Sequence, residues 1–237
     1  MPTTLPLPVI LCGGLGTRLG QLAEGLPKPM VPVAGCPFLE HLVRQLAGQG
    51  FPEILLLVGH KAEIIESYFG DGSAFGLRLR YSRETEPLGT GGALKLAASR
   101  IDDRFLMLYG DLYRAFDYAD FCTRRTCALA VYPYVSGLTT IDCANVGLDG
   151  EGKRVARYVK GDPGAGLTHV DAGFGVFCRG ALRLLPDGNS SFEQQAYPTL
   201  AASGKLDAEL VDREFFDIGN PTDLAHARAY FGSHPSH

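Results

Sequence analysis

Two short stretches near the N-terminus carry residue types suited to holding phosphate. The first is Gly13-Gly14-Leu15-Gly16-Thr17-Arg18-Leu19. Three glycines in four residues let backbone N–H groups approach a phosphate chain without interference from a Cβ. The Arg18 guanidinium can make forked, charge-assisted contacts to phosphate oxygens. The second is Pro27-Lys28-Pro29-Met30. Pro29 disfavours helical backbone at the residue before it, so the spacing predicts Lys28 on a stiff, extended segment. Such a lysine loses little further entropy on meeting an anion. A P-loop would need Gly-Lys-Ser/Thr at a helix start, and a dinucleotide fingerprint would need glycine where Leu19 stands. Both are excluded. Taken singly, the glycines could form a plain turn and the two cations could be solvated; in succession they indicate an anion site.

Strands must end at these residues to position them. Val9-Ile10-Leu11-Cys12 is an unbroken apolar run stopping at Gly13-Gly14, as suits a parallel strand covered on both faces. Pro37 opens a helix at its first turn, Leu39, Leu42, Val43 and Leu46 share one face, and Gly48 to Gly50 end it. Ile54 to Val58 predicts a second buried strand, Lys61 to Phe69 a helix, Leu77 to Tyr81 a third strand and Thr90 to Ser99 another helix. Phe105 to Tyr109 is the next core strand and delivers Gly110-Asp111 at its carboxyl end. This rhythm predicts an α/β fold with a doubly wound, mostly parallel, Rossmann-like sheet. Ligands on such sheets bind beyond the carboxyl ends of the strands, which places Gly13-Gly14 and Asp111 on one rim.

The second half reads as a smaller mixed β region. Cys127 to Tyr134, Thr139 to Leu148, Arg154 to Lys160 and His169 to Cys178 are strands between Gly/Asp/Pro turns. Ser190 and Glu193 have capping-box spacing for a helix running to Ala202. Asn220 and Pro221 start the last helix as N-cap and first residue, and Asp223 suits that end of the dipole. No linker stands out, so residues 1–237 read as one domain.

Composition narrows the function classes. Hydrophobic residues make up 46% of the 237 and charged residues 20%, a globular balance. A formal charge of −4 gives no general attraction to nucleic acid or anionic membrane, so a polyanionic substrate must be held locally. No basic stripe interleaved with aromatics suggests a nucleic-acid partner. No apolar run approaches membrane-spanning length, and Met1 to Pro8 lack the basic start and apolar segment of a signal peptide, which reads as cytoplasmic. The six cysteines form no Cys-x-x-Cys pair, against zinc or redox chemistry.

Gly-Gly-x-Gly-Thr-Arg-Leu followed by Pro-Lys-Pro-Met resembles the sugar-1-phosphate nucleotidyltransferases, also called sugar-nucleotide pyrophosphorylases. Glu86-Pro87-Leu88-Gly89-Thr90-Gly91-Gly92, Gly110-Asp111, Val170-Asp171-Ala172-Gly173 and Phe216-Asp217-Ile218-Gly219 extend the resemblance over most of the chain. It implies a glycosyltransferase-A-like fold, with a nucleotide-binding half to about residue 125 and a sugar-phosphate half over 126–237. It also implies a role for each match. Leu11, Cys12, Gly13 and Gly14, with Gly16, Thr17, Glu86, Gly89 and Thr90, would hold the nucleotide. Arg18 and Lys28 would bind the triphosphate and stabilise the transition state. Asp111 and Asp217 would bind Mg²⁺, while Gly110, Lys160, Asp171, Ala172 and Gly173 would face the sugar phosphate. The implied partners are an NTP and a sugar 1-phosphate. Attack of the sugar phosphate on the α-phosphate needs no protein nucleophile, only positioning and charge neutralisation.

Within the family, Glu-Pro-Leu-Gly-Thr-Gly-Gly-Ala and Phe-Phe-Asp-Ile-Gly-Asn-Pro look most like the D-glycero-D-manno-heptose 1-phosphate guanylyltransferases. A carboxylate at Glu86 could accept from both the ring N–H and the amino group of guanine. N-acetylmuramic acid 1-phosphate uridylyltransferases and mannose-1-phosphate guanylyltransferases are the alternatives. Val159 stands where many members have glutamate, and Asp171 where asparagine is common, so the sugar stays open. Two other classes are a regulatory nucleotide-binding protein and a cytidylyltransferase for an alcohol phosphate. The oligomeric state, homo-oligomer included, is not legible in one sequence.

Overall fold

The computed structural model describes residues 4–14, 25–135, 143–161, 166–212 and 215–234. Strand β1 (Leu7–Leu11) leads to a single 3-10 turn at Lys28–Met30, then to β2 (Pro32–Val33), β3 (Cys36–Pro37) and helix α1 (Phe38–Gly48). The alternation continues through β4 (Glu53–Val58), α2 (Ala62–Phe69), β5 (Arg78–Arg83), α3 (Gly89–Leu96) and β6 (Arg104–Tyr109). Next come β7 (Leu112–Tyr113), α4 (Tyr118–Arg124), β8 (Ala128–Pro133), β9 (Val146–Leu148), β10 (Val155–Tyr158) and β11 (His169–Cys178). The chain closes with α5 (Phe192–Ala202), β12 (Asp207–Leu210), β13 (Phe216–Asp217) and α6 (Pro221–Ser233).

Two compact units divide these elements. The first comprises Met1–Pro87, Leu108–Phe121 and Glu214–His237, and the second Leu88–Met107 and Cys122–Arg213. A single cut near residue 125 does not reproduce this division. Helix α3 belongs with the second unit because its glycines lie against α5 and the turn before it. A Cβ on Gly91 would stand 2.6 Å from Ser190 Oγ and 3.1 Å from the Phe192 nitrogen. Helix α6 belongs with the first unit because its apolar face is buried there.

In the first unit β1, β4 and β5 run parallel, with Val9 opposite Leu55 and Leu56 opposite Tyr81. Pairing of β1 with β4 starts at Val9, just past Pro8, which has no N–H for a ladder. Leu39, Leu42, Val43 and Leu46 of α1 are fully buried, as their spacing predicts. Pro37 sits at the N-cap, one residue before the predicted place, because it also pairs with Pro32 in β3. The β2–β3 turn uses Ala34 and Gly35, both at positive φ (50° and 92°), the twist that a two-residue hairpin needs. Below it Val31, Val33, Phe38, Ile218, Leu224, Ala227 and Phe231 form one buried cluster, edged by Tyr113, Phe216 and Tyr230.

In the second unit β8 lies between antiparallel β11 and parallel β12, and β9 pairs antiparallel with both β10 and β11. Strand β12 has no sequence signal: its residues are Asp-Ala-Glu-Leu, and Leu210 is 58% exposed. Of the strand expected over Thr139 to Leu148, the described part is β9, and 139–142 lie outside the described residues. The α5 cap is Ser191, whose Oγ accepts from the Gln194 N–H at 3.2 Å, one residue later than the Ser190 spacing predicts. Ser190 is buried against α3 instead, and Glu193 is drawn away to Thr90.

Phe231 meets Phe38, Tyr113 and His41 in ring contacts and anchors α6 in the cluster. Phe231→Ala is therefore expected to cost about 3–5 kcal/mol in urea unfolding; a loss below about 1 kcal/mol would mean that α6 is not held by this ring.

Candidate active site

Three charged residues from distant parts of the sequence meet in the first unit. The Lys28 ammonium lies 2.5 Å from Asp111 Oδ2 and 3.2 Å from Asp217 Oδ1, and Lys28 is only 8% exposed. A two-stranded ribbon brings the aspartates together. In it β7 and β13 pair antiparallel, Asp217 opposite Leu112, and the Ile218 N–H donates to the Asp111 carbonyl at 3.2 Å. Lys28 is not on an extended segment as predicted. It begins the 3-10 turn, where Met30 N–H donates to Pro27 O at 2.8 Å and Val31 N–H to Lys28 O at 3.2 Å. The steric preference before proline is soft, and two backbone bonds offset it. Close behind each charged residue comes a side chain in the cluster below or at its edge: Val31 and Val33 after Lys28, Tyr113 after Asp111, Ile218 after Asp217.

One ammonium between two carboxylates leaves negative charge in excess. Burial raises the Asp217 carboxyl above the ordinary carboxylate range; the Lys28 charge opposes the rise and the Asp111 charge adds to it. A Cβ on Gly219 would lie 3.0 Å from Asp217 Oδ2, so glycine there leaves the carboxylate its place. Two carboxylates already gathered about one positive charge are a fitting donor pair for Mg²⁺, which takes one or two carboxylates and completes its shell with phosphate and water. Among the described residues no group of three or more His, Cys, Asp or Glu could hold a metal alone.

A cleft of about 330 Å³ opens at the carboxyl ends of β1, β4 and β5. Gly13, Gly59, Glu84 and Glu86 line it, with Thr85 and Pro87. Glu84, which stands outside the recognised motif, is half-buried where Glu86 is exposed. A Cβ on Gly13 would lie 2.7 Å from Glu84 Oε1, and one on Gly59 2.6 Å, so the carboxylate fills the space two missing side chains leave. The signal was available: Glu84 directly follows β5 as Gly13 follows β1 by two residues. The Leu11 carbonyl and Cys12 N–H are engaged with Gly110 and Leu57. Gly110 itself has a packing reason, since a Cβ there would lie 2.8 Å from Cys12 Sγ. Burial, with the Asp111 charge, pushes the Cys12 thiol far up and leaves it inert. Gly16, Thr17 and Arg18 lie outside the described residues.

The remaining predicted residues gather in the second unit. Asp171 on β11 accepts from Tyr158 OH at 3.3 Å and from the Gly173 N–H at 2.8 Å, and its own N–H donates to Asn145 Oδ1 at 2.8 Å. Gly173 needs its φ of 81° for that turn; Ala172 is buried. Lys160 Nζ lies 3.6 Å from Glu193 Oε2. Thr90, expected at the nucleotide, instead donates to Glu193 Oε2 at 2.7 Å and accepts from Phe192 N–H at 2.9 Å. Gly89, at φ 67°, opens α3 beside it. Burial pushes the Asp171 carboxyl up to about 7 against the Gly173 N–H, which favours its charged form; the Glu193 charge adds to the rise.

The nucleotidyl transferase family profile matches residues 7–135, more than half of the chain. The mannose-1-phosphate guanylyltransferase of Mycobacterium tuberculosis is 32% identical over 231 residues, 93% of this chain and 63% of that protein. The D-glycero-alpha-D-manno-heptose 1-phosphate guanylyltransferase of Campylobacter jejuni is 44% identical over 109 residues, 46% of this chain and 49% of that one. The matches thus span less than two thirds of either curated relative. Among solved structures, HddC from Yersinia pseudotuberculosis complexed with GMP-PN superposes with a TM-score of 0.79 at 29% identity, covering 96% of this chain and 100% of that one. No helix among the described residues is long and apolar enough to cross a membrane.

A carboxyl raised by burial is stabilising while protonated, and that stability is lost as pH rises from the unfolded value through the folded one. For Asp171 the window runs from the ordinary carboxyl value of 3.8 to about 7. Asp171→Asn should match the parent in urea unfolding near pH 4 and exceed it at pH 8 by on the order of 2 kcal/mol, discounted for partial exposure. A difference that does not grow with pH would sink this reading.

Proposed function

Because the chain belongs to the nucleotidyl transferase family, we propose that it transfers a nucleoside monophosphate from an NTP to a sugar 1-phosphate, releasing pyrophosphate. The observation that carries this reading is the buried Lys28 ammonium held between Asp111 and Asp217. Such a trio suits phosphoryl transfer, where the protein positions phosphates and neutralises charge without a covalent step. An oxygen of the sugar phosphate attacks the α-phosphorus, the bond to the β-phosphate breaks, and pyrophosphate takes the electron pair. Lys28 faces the triphosphate, and Arg18 is assigned to it as well. Asp111 and Asp217 would hold Mg²⁺, which would offset triphosphate charge when bound. In the free protein the two carboxylates hold the Lys28 side chain in place.

For the nucleotide we favour GTP. Glu84 presents a carboxylate in the cleft beside Gly13 and Gly59, and a carboxylate can accept from both N–H groups on the guanine edge, whereas uracil offers one. Glu86, at the same cleft, is second in line. The named guanylyltransferase relatives and the GMP-PN bound by HddC support this choice. For the sugar we favour a heptose 1-phosphate, on the 44% identity to the Campylobacter jejuni relative. Mannose 1-phosphate is the second reading, supported by a match that runs over 93% of the chain. Lys160, Asp171 and Gly173 are assigned to the acceptor.

The test is pyrophosphate release with Mg²⁺, crossing GTP, UTP, CTP, dTTP and ATP with heptose, mannose, glucose and N-acetylmuramic acid 1-phosphates. Release is expected with GTP and the heptose phosphate. Lys28→Met should lower kcat by roughly 10²–10³-fold, as expected for removing a charge aimed at the transition state. Release in no combination, from folded protein that binds nucleotide, overturns the enzyme reading in favour of a regulatory one. Separately, Glu84→Gln should cut the preference for GTP over UTP by at least about tenfold in kcat/KM; an unchanged preference moves base reading to Glu86.

A further inference from the structure

Lys160 reaches a carboxylate that the proposed chemistry leaves without a task. Glu193, in the first turn of α5, is only 2% exposed. Its Oε2 accepts from Thr90 Oγ1 at 2.7 Å and from the Ser191 hydroxyl, and Thr90 is fixed in turn by the Phe192 N–H. Two hydroxyls on one oxygen set its position. The Lys160 ammonium stands 3.6 Å from that oxygen, on a side chain that is half exposed. At this distance the ammonium is steered but keeps donors for another anion. Ordering a free lysine stem costs side-chain entropy, and a carboxylate that orders it beforehand spares the ligand that cost. Val159, beside Lys160, supplies no carboxylate of its own, so the guiding charge arrives from another element.

We infer that Glu193 is a positioning residue for the acceptor: it holds Lys160 where the ammonium meets the phosphate of a sugar 1-phosphate, and Thr90 serves by holding Glu193. This rests on the proposed reaction and names what sets its acceptor cation. Glu193 also acts on Asp171, which Tyr158, Lys160, Asn145 and Gly173 otherwise face. Removing the Glu193 charge eases ionisation of Asp171.

Glu193→Gln keeps the shape and removes the charge. It should raise KM for the sugar 1-phosphate by on the order of tenfold, leaving kcat and KM for the NTP within about twofold. Lys160→Ala should raise the same KM by at least as much, and the double variant should be no worse than Lys160→Ala alone. The pH at which acceptor KM changes should move down in Glu193→Gln, a shift that a merely structural role would not produce; ionisation of the sugar phosphate is common to both proteins. Thr90→Ser should behave as the parent and Thr90→Val should raise acceptor KM. Unchanged acceptor KM and pH midpoint in Glu193→Gln, or additive effects in the double variant, overturn the inference while the reaction stands. If the parent turns over nothing, the reaction reading fails by itself and calorimetric titration with inorganic phosphate decides. Binding weakened alike by Glu193→Gln and Lys160→Ala supports the positioning role, and binding equal to the parent's in Glu193→Gln overturns it.

Discussion

An ammonium taken out of water must be compensated, and here the compensation comes from two carboxylates that lie 83 and 189 residues further along the chain. That requirement organises the first unit. The 3-10 turn, the β7–β13 ribbon and helix α6 are short pieces with little independent stability. They hold because residues beside each charge enter one apolar cluster. Packing below and charge above therefore depend on the same backbone.

Excess negative charge is a shared property of both clusters. In the first unit two aspartates face one lysine; in the second, Asp171 and Glu193 are joined by Tyr158 and Lys160. The outcomes differ with the hydrogen bonds. Glu193 is fixed by two hydroxyls, whereas Asp171 has a weaker hydroxyl contact and a backbone N–H, and burial raises it to about 7. The first arrangement invites a further cation and the second can take up a proton.

Much of the first unit was legible because apolar runs bounded by glycine make parallel strands with defined ends. Gly13, Lys28, Asp111 and Asp217 all fall where strand ends or their supports place them. What was not legible depended on long-range competition. Ser190 and Ser191 are equal candidates for a cap until Gly91 claims the first. Thr90 belongs to a motif shared with nucleotide-binding relatives, yet here its hydroxyl is engaged by Glu193 and Phe192. Strand β12 carries no alternation because β8 supplies its pairing. Glu84 lies outside the motif that begins at Glu86, although its place directly after β5 is the better physical signal.

Helix α6 packs with the first unit although most of the sequence lies between it and β1. A ribosome makes β1 well before α6, so the first unit is begun before the second and finished after it. Until α6 emerges, Val31, Val33 and Phe38 have no lid, and the Lys28 ammonium has at most one of its two partners. The second unit, complete at Arg213, has all its segments beforehand. Maturation of the two units thus runs opposite to the order in which they begin, and Lys28, Asp111 and Asp217 come together only after the second unit has been made.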